Sequence, residues 1–133
     1  MDKNIENKIE QTVTDETKLI DTVIFAMKDK RSENIVHLNL DRLSKSVCSS
    51  FIVANADSTV QVRAIADNVE EEVLKKLNVK VWRRQGDENA LWIILDYGSV
   101  VVHVFQTNCR KYYALEDLWA DAETVKIPEN KIA

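Results

Sequence analysis

Apolar residues recur along the chain with helical and strand periods, and these periods predict the order of its elements. In the first helix the apolar positions are three or four residues apart, as on one face of a helix: Leu19, Ile20, Val23, Ile24 and Met27. We expect this helix to begin near Asp15 or Thr17 and to end near Lys30. Residues 1–14 have few apolar positions and no sustained period, so they are predicted to form a flexible leader.

Two strands and a second helix are predicted next. Apolar and polar residues alternate over residues 36–40, and residues 47–56 are rich in β-branched and small side chains; both features are typical of strands. Ser58 and Gln61 fit a capping box, in which each side chain binds a backbone N–H at the start of a helix. The apolar residues of this second helix share one face: Val62, Ile65, Ala66, Val69, Val73 and Leu77.

The C-terminal half predicts three strands and a final helix. Residues 79–84 predict one strand, and the continuous apolar run of residues 90–97 predicts a strand that is covered on both faces. Gly98 permits a tight reversal into residues 100–106, so these two strands are expected to form an antiparallel hairpin. One last helix is predicted from near Asn108. Its apolar positions are Tyr112, Leu115, Leu118, Trp119 and Ala122.

This order of elements predicts a single α/β domain over residues 15–122. A mixed sheet of about five strands flanked by helices is expected, and 133 residues are enough for one hydrophobic core. Residues 123–133 contain the only proline and are predicted to form a flexible tail. Since no apolar run approaches the ~20 residues of a membrane span and the N-terminus lacks a signal peptide, we expect a soluble, cytoplasmic protein.

The net charge and the numbers of cysteine and glycine residues limit the classes of function that this chain can have. A net charge of -4 disfavours extended nucleic-acid binding and is compatible with a basic protein partner. The two cysteines, Cys48 and Cys109, stand far apart and outside any C-x-x-C motif, so neither a zinc site nor a disulfide framework is expected. With two glycines in the chain, no glycine-rich phosphate loop can be written. We therefore predict no metal and no cofactor.

Catalysis by residues of the predicted hairpin remains an alternative function. Ser99, His103 and Asp96 contain the groups of a hydrolase triad, but the G-x-S-x-G elbow is absent. His103 stands among valines, so we interpret it as a histidine that is hydrogen-bonded at the edge of the core, against the alternative of a general base or a metal ligand. His37 is its only histidine companion. Catalysis by these residues is therefore disfavoured.

The aromatic and charged residues leave alternatives open. Trp92 shares a strand face with Ile94 and Asp96, where core and interface roles are equally compatible with the pattern. Asp96 is expected to accept backbone N–H groups of the Gly98 turn, and it could also meet a cation of a partner. Trp119 is predicted to be partly core. The pair at residues 83–84, two arginines beside a tryptophan, is more often solvated than bound to phosphate.

The sequence resembles one known family, most specifically in its C-terminal part. Residues 92–105 (WIILDYGSVVVHVF) and 110–119 (RKYYALEDLW) resemble the signature of the RsfS family of ribosomal silencing factors, which is related to plant Iojap and to mitochondrial assembly factors. Ser58 and the triplet at residues 65–67 also fit, and the resemblance covers about residues 17–121. The sequence departs from the pattern in two places: Ser99 stands where the family usually has an aspartate, and Val60-Gln61 stands where an Arg-His pair is common.

The resemblance implies an α/β fold related to nucleotidyltransferases, without their catalytic carboxylates and glycine loop, so we predict that the protein is not an enzyme. It implies binding to the large ribosomal subunit through ribosomal protein fourteen, which sterically prevents the small subunit from docking and lowers translation when nutrients are scarce. Family members are often homodimers. A role in large-subunit assembly is the alternative, and a nucleotidyltransferase-like enzyme is a third possibility, which the shortage of glycine disfavours.

The resemblance also implies a set of partner-binding residues. They are Trp92, Ile94, Asp96, Tyr97, Arg110, Tyr113, Leu118 and Trp119. Trp92 is expected to insert against the ribosomal protein, with Ile94, Asp96 and Tyr97 around it. The other four residues are expected either to frame this surface or to hold the last helix against the sheet.

Overall fold

A mixed sheet of six strands forms the centre of the fold in the described part of the chain. The computed structural model describes residues 3–40 and 48–128. For residues 3–14 and 118 it describes the backbone alone. In chain order the elements are α1 (Lys3–Asp29), β1 (Glu33–Asn39), β2 (Ser50–Ala56), α2 (Thr59–Leu77), β3 (Arg83–Gln85), β4 (Trp92–Asp96), β5 (Val100–Gln106), α3 (Thr107–Tyr113), α4 (Leu115–Leu118) and β6 (Glu123–Lys126). The strands lie in the order β3-β4-β5-β2-β1-β6, with β2 and β5 parallel and the other neighbours antiparallel. The predicted mixed sheet flanked by helices is confirmed.

The main core lies between the sheet and the helices α1 and α2. Every second residue of β2 and β5 is buried against these helices: Ile52, Ala54, Ala56, Val100, Val102 and Val104. Nδ2 of Asn68 ties the helices together by donating to the carbonyl of Ala26 at 2.9 Å. Helix α2 begins where predicted, because Oγ of Ser58 accepts the N–H of Gln61 at 3.1 Å. The Gln61 amide donates to the carbonyl of Lys30 at 3.1 Å, so it too links the helices.

Helix α1 is longer than the apolar pattern indicates. It begins at Lys3 rather than near Asp15 or Thr17. The residues before Asp15 include no glycine or proline and many lysine, glutamate and glutamine residues, which are good helix formers. Backbone propensity therefore extends the helix beyond its apolar stripe. Of the predicted leader, residues 1–14, the first two lie outside the described residues, and its flexibility stays a prediction.

The C-terminal part differs from prediction in two elements. The single helix expected from near Asn108 is two short helices, because Ala114 has a left-handed backbone (φ 47°) and its N–H binds the carbonyl of Arg110. Part of the predicted tail, residues 123–133, is strand β6, which pairs with β1. The side chains of β6 are all exposed, so no apolar alternation marks this strand. Residues 129–133 lie outside the described residues.

The β4–β5 hairpin is confirmed, and its neighbouring strand is shorter than expected. Gly98 makes the reversal with a positive φ of 89°, which glycine adopts without strain. Of the strand predicted over residues 79–84, only Arg83 and Arg84 lie in β3, which also includes Gln85. The strand predicted over residues 47–56 begins at Ser50, and position 47 lies outside the described residues.

Strand β4 is fully covered on one face only, contrary to the prediction of cover on both. Ile93 and Leu95 are buried in the core beneath the helices, whereas Trp92, Ile94 and Asp96 are half-buried on the opposite face. The apolar run is continuous because half of it belongs to this second face. The fold thus presents Trp92 with Ile94 and Asp96, on one side of the sheet, as the sequence alternation predicted.

Candidate protein-binding surface

The sheet face opposite α1 and α2 carries a cluster of aromatic side chains that the described residues only partly cover. Helix α3 lies over β2 and β5 and leaves much of β4 open. Seven half-buried or exposed residues form this region, which we call the Trp92 surface: Phe51, Trp92, Ile94, Asp96, Val101, Tyr113 and Trp119. His103 and Phe105 are buried beneath it. The surface is apolar at its centre, as the core of a protein interface is.

Trp92 is held on three sides. Its Nε1 donates a hydrogen bond to Nδ1 of His103 at 3.0 Å. The indole stacks on Phe105 with ring centroids 4.8 Å apart, and the ring of Tyr113 lies 4.9 Å away. Because Trp92 is half-buried, it packs on the core and still presents part of its ring at the surface. The two alternatives that the sequence left open, core and interface, are therefore compatible.

His103 is a buried, neutral histidine. It is 5% exposed, and burial lowers its pKa to about 4. Since Nδ1 accepts the indole N–H, the proton of the neutral ring is on Nε2. Nε2 has no hydrogen-bond partner in the described part of the chain. The structural interpretation of His103 is favoured, because a buried imidazole whose Nδ1 is occupied is poorly placed to act as a general base.

Protonation of His103 is expected to destabilise the protein at mildly acidic pH. Between the ordinary pKa of 6.5 and the folded value of about 4, the unfolded chain binds more protons than the folded one. The free energy of unfolding is therefore fully retained above the higher value and falls as the pH drops towards the lower one. We expect a loss of about 2 kcal/mol between about pH 7 and pH 5.

Urea denaturation of the wild type and of His103→Asn at both pH values checks this expectation. His37 is present in both proteins, so the difference between their profiles isolates His103. Equal losses in the two proteins would show that His103 contributes nothing to the pH dependence.

Asp96 lies at the edge of the Trp92 surface beside β3. Its Oδ1 accepts the N–H of Gly98 at 2.7 Å, which confirms the turn contact predicted from the sequence. Arg83 pairs with Asp96 across the two strands, and Gln85 pairs with Ile94. The side chains of Arg83 and Gln85 therefore lie on the same sheet face as Asp96 and Ile94, and they are exposed. Sequence analysis missed this polar rim. The signal that could have found it is the strand alternation of residues 83–85.

Arg110 fastens the short helices to the sheet. Its guanidinium donates to Glu116, to the carbonyl of Asn34 at 2.5 Å and to Oδ1 of Asn55 at 2.9 Å. Its side chain is 12% exposed. Of the two roles left open for Arg110, the structure favours holding the last helices against the sheet over framing the surface.

The structure describes the side chains of two of the other three C-terminal residues that were predicted to bind the partner. Tyr113 packs on Trp92 and on Phe105 and is 47% exposed as a residue, so it borders the surface. Trp119 is half-buried, and its ring meets Phe51 edge-on at 5.6 Å. Both residues combine packing with a position at the surface. The side chain of Leu118 lies outside the described residues.

Tyr97 is not brought together with Trp92. It follows β4 and packs on the opposite side, against the core of α1 and α2. Burial, and then the charge of Glu70, raise the pKa of its hydroxyl, whereas Arg84 opposes the rise. The predicted place of Tyr97 beside Trp92 is wrong, because the strand period puts residue 97 on the same side as Leu95.

The two arginines of β3 have separate environments. Arg83 is exposed, whereas Arg84 bonds with carboxylates of α2 and of the following turn: Asp67, Glu70 and Asp87. Burial alone would lower the pKa of Arg84, but these hydrogen bonds outweigh burial and raise it. Arg84 therefore joins β3 to α2 and is not available as a ligand for phosphate.

Among the side chains that the structure describes, in residues 15–40 and 48–128, no three His, Cys, Asp or Glu are grouped as metal ligands. A cleft of about 710 Å³ lies beside Arg110, but polar groups in its wall bind one another, as Nδ2 of Asn55 binds Oγ1 of Thr107 at 2.9 Å. Cys48 and Cys109 are free, half-buried thiols. No described helix is long and apolar enough to cross a membrane.

Comparisons with known proteins agree on one family. The model of the family described as ribosomal silencing factor during starvation matches residues 12–133. The ribosomal silencing factor RsfS of Halalkalibacterium halodurans is 37% identical over 110 residues, which are 83% of this chain and 92% of that protein. The RsfS of Bacillus subtilis is 38% identical over 97 residues, 73% and 80% of the two chains.

The fold of this chain is also similar to that of a solved structure. The crystal structure of a protein from Bacillus halodurans matches with a TM-score of 0.72 and 34% identity, over 84% of this chain and 99% of that one. The residues matched by the family model include all six described strands and the whole Trp92 surface. Fold and sequence therefore lead to the same group of proteins.

Proposed function

This chain belongs to the ribosomal silencing factor (RsfS) family, and on that premise we propose that it binds ribosomal protein fourteen of the large subunit and blocks subunit joining. Membership of the family implies regulation of translation through the ribosome. The proposal adds the partner, the surface and the mechanism. It places the protein in the cytoplasm, where ribosomes work.

The observation that supports the proposal is the Trp92 surface. A half-buried tryptophan stands on an open sheet face, with aromatic side chains around it and polar residues at the rim. Large aromatic anchors enclosed by a polar rim are typical of the energetic centres of protein interfaces. The ring of Trp92 is already packed, so little side-chain freedom is lost when a partner covers it.

Charge and mechanism fit this partner. A net charge of -4 favours association with a basic protein, and ribosomal proteins are commonly basic. Asp96, half-buried at the edge of the surface, is suited to meet a cationic side chain of the partner. Occlusion then requires no chemistry, because the bound domain occupies the place that the small subunit must contact.

Sedimentation of the purified full chain with separated ribosomal subunits tests the proposal. We expect binding to large subunits and not to small ones, competition by isolated ribosomal protein fourteen, and a lower yield of joined ribosomes when the chain is added first. Binding to neither subunit would refute the proposed function. Large-subunit binding without an effect on joining, together with accumulation of large-subunit precursors in cells that lack the protein, would assign a role in assembly instead.

A further inference from the structure

We infer that His103 is a positioning residue of the Trp92 surface: it accepts the indole N–H and holds Trp92 in the orientation that the ribosomal partner meets. The inference rests on the proposed function of this surface. It assigns a purpose to a buried polar residue whose neighbours along β5, from Val100 to Phe105, are all apolar.

The geometry of two neighbouring strands makes the contact. Trp92 pairs with Phe105 and Ile94 pairs with His103 across the β4–β5 hairpin, so Trp92 and His103 are diagonal neighbours on one face. Nε1 of Trp92 and Nδ1 of His103 are 3.0 Å apart. β5 lies between β4 and β2 and is paired with both. The acceptor is therefore carried by an interior strand of the sheet.

The surroundings of His103 explain why Nδ1 can serve as an acceptor. Its ring neighbours are aromatic and come from its own strand and from the two adjoining strands: Phe105 on β5, Phe51 on β2 and Trp92 on β4. This apolar environment disfavours the charged imidazolium. The neutral ring keeps Nδ1 free of a proton and able to accept the indole N–H.

A histidine here is not the choice that stability alone would favour. Its second nitrogen, Nε2, is buried and lacks a hydrogen-bond partner among the described residues, and a buried donor without a partner is destabilising. An apolar side chain of similar size would fill the same space without that cost. What histidine adds is the acceptor for Trp92.

This arrangement determines what Trp92 offers to a partner. Since the indole N–H is bound inside the protein, the exposed part of the ring is apolar. The partner is therefore recognised by burial and stacking of the ring rather than by a hydrogen bond from Nε1. Loss of the acceptor would leave an unpaired N–H and an indole free to choose other orientations.

Two substitutions of His103 separate positioning from packing. His103→Leu removes the acceptor and keeps an apolar side chain, whereas His103→Asn places an amide oxygen near the position of Nδ1. We expect His103→Leu to weaken binding of large subunits about ten-fold, because an indole that is no longer held must lose side-chain freedom when the partner covers it. His103→Asn should remain within about three-fold of the wild type. If His103→Leu does not fold, His103→Phe provides the same comparison.

A double-mutant cycle identifies the residue through which His103 acts. In a Trp92→Phe background the indole N–H is absent, so His103→Leu should then cause no further loss of binding. The indole Nε1–H resonance of Trp92 in the free protein gives an independent readout. It should be sharp in the wild type and in His103→Asn, and shifted or broadened in His103→Leu.

The outcomes distinguish this inference from the proposed function. Wild-type affinity of His103→Leu, an equal loss in the Trp92→Phe background or an unchanged indole resonance would each overturn the positioning role. If the wild-type chain binds neither subunit, the proposed function fails. The indole resonance then still decides whether His103 orients Trp92.

Discussion

Trp92→Ala is expected to reduce the affinity for large ribosomal subunits about 30-fold or more, equivalent to about 2 kcal/mol or more. The substitution removes the ring that stands at the centre of the open sheet face and leaves a gap between Tyr113 and Phe105. It also removes the donor to His103. Sedimentation with large subunits at a series of protein concentrations measures the change.

Trp82→Ala is the matched control for this substitution. Trp82 is the same residue type in the same chain, is 74% exposed and precedes β3, outside the Trp92 surface. The Trp82→Ala variant should bind large subunits with the affinity of the wild type. Equal losses in the two variants would mean that the surface is wrongly assigned, and wild-type binding by Trp92→Ala would contradict the proposal.

Stability must be measured beside binding, because Trp92 also packs on the core. We expect Trp92→Ala to lower the free energy of unfolding by about 2 kcal/mol, less than for a fully buried aromatic ring. If the variant does not fold under the assay conditions, Ile94→Lys tests the same surface. Ile94 is half-buried on the same face, so a lysine there can reach water while disrupting the apolar centre.

Arg110→Ala is expected to lower the free energy of unfolding by about 3 kcal/mol. Without the guanidinium, the carboxylate of Glu116, the amide oxygen of Asn55 and the carbonyl of Asn34 all lose a donor. Helices α3 and α4 then lose their main polar link to the sheet. Urea denaturation measures the loss, and hydrogen exchange should show it first in residues 107–118.

Two substitutions serve as controls for Arg110. Arg83→Ala removes an exposed arginine and should change stability by no more than about 0.5 kcal/mol. Arg110→Lys should restore only part of the loss, because an ammonium cannot reproduce the fork of the guanidinium. A change of less than about 1 kcal/mol in Arg110→Ala would show that packing rather than this network holds the helices.

Much of the fold could be predicted from local patterns. Ser58 begins α2 because a side-chain cap acts within three residues, and Gly98 makes the hairpin because a tight turn needs its backbone freedom. Trp92, Ile94 and Asp96 lie on one face because side chains alternate along any strand. The same rule, applied to Tyr97, would have excluded it from the surface.

The remaining features depend on residues that are far apart in the sequence. β2 pairs with β5, and β6 with β1, through backbone hydrogen bonds that carry no side-chain signal. The role of Arg110 required Asn34 and Asn55 to approach it, over separations of 76 and 55 residues. The sequence by itself thus determined the elements, the hairpin and the face of Trp92, since local geometry governs them. Only the tertiary structure decided which strands are neighbours, what Arg110 holds and what His103 accepts, because these follow from packing between distant segments.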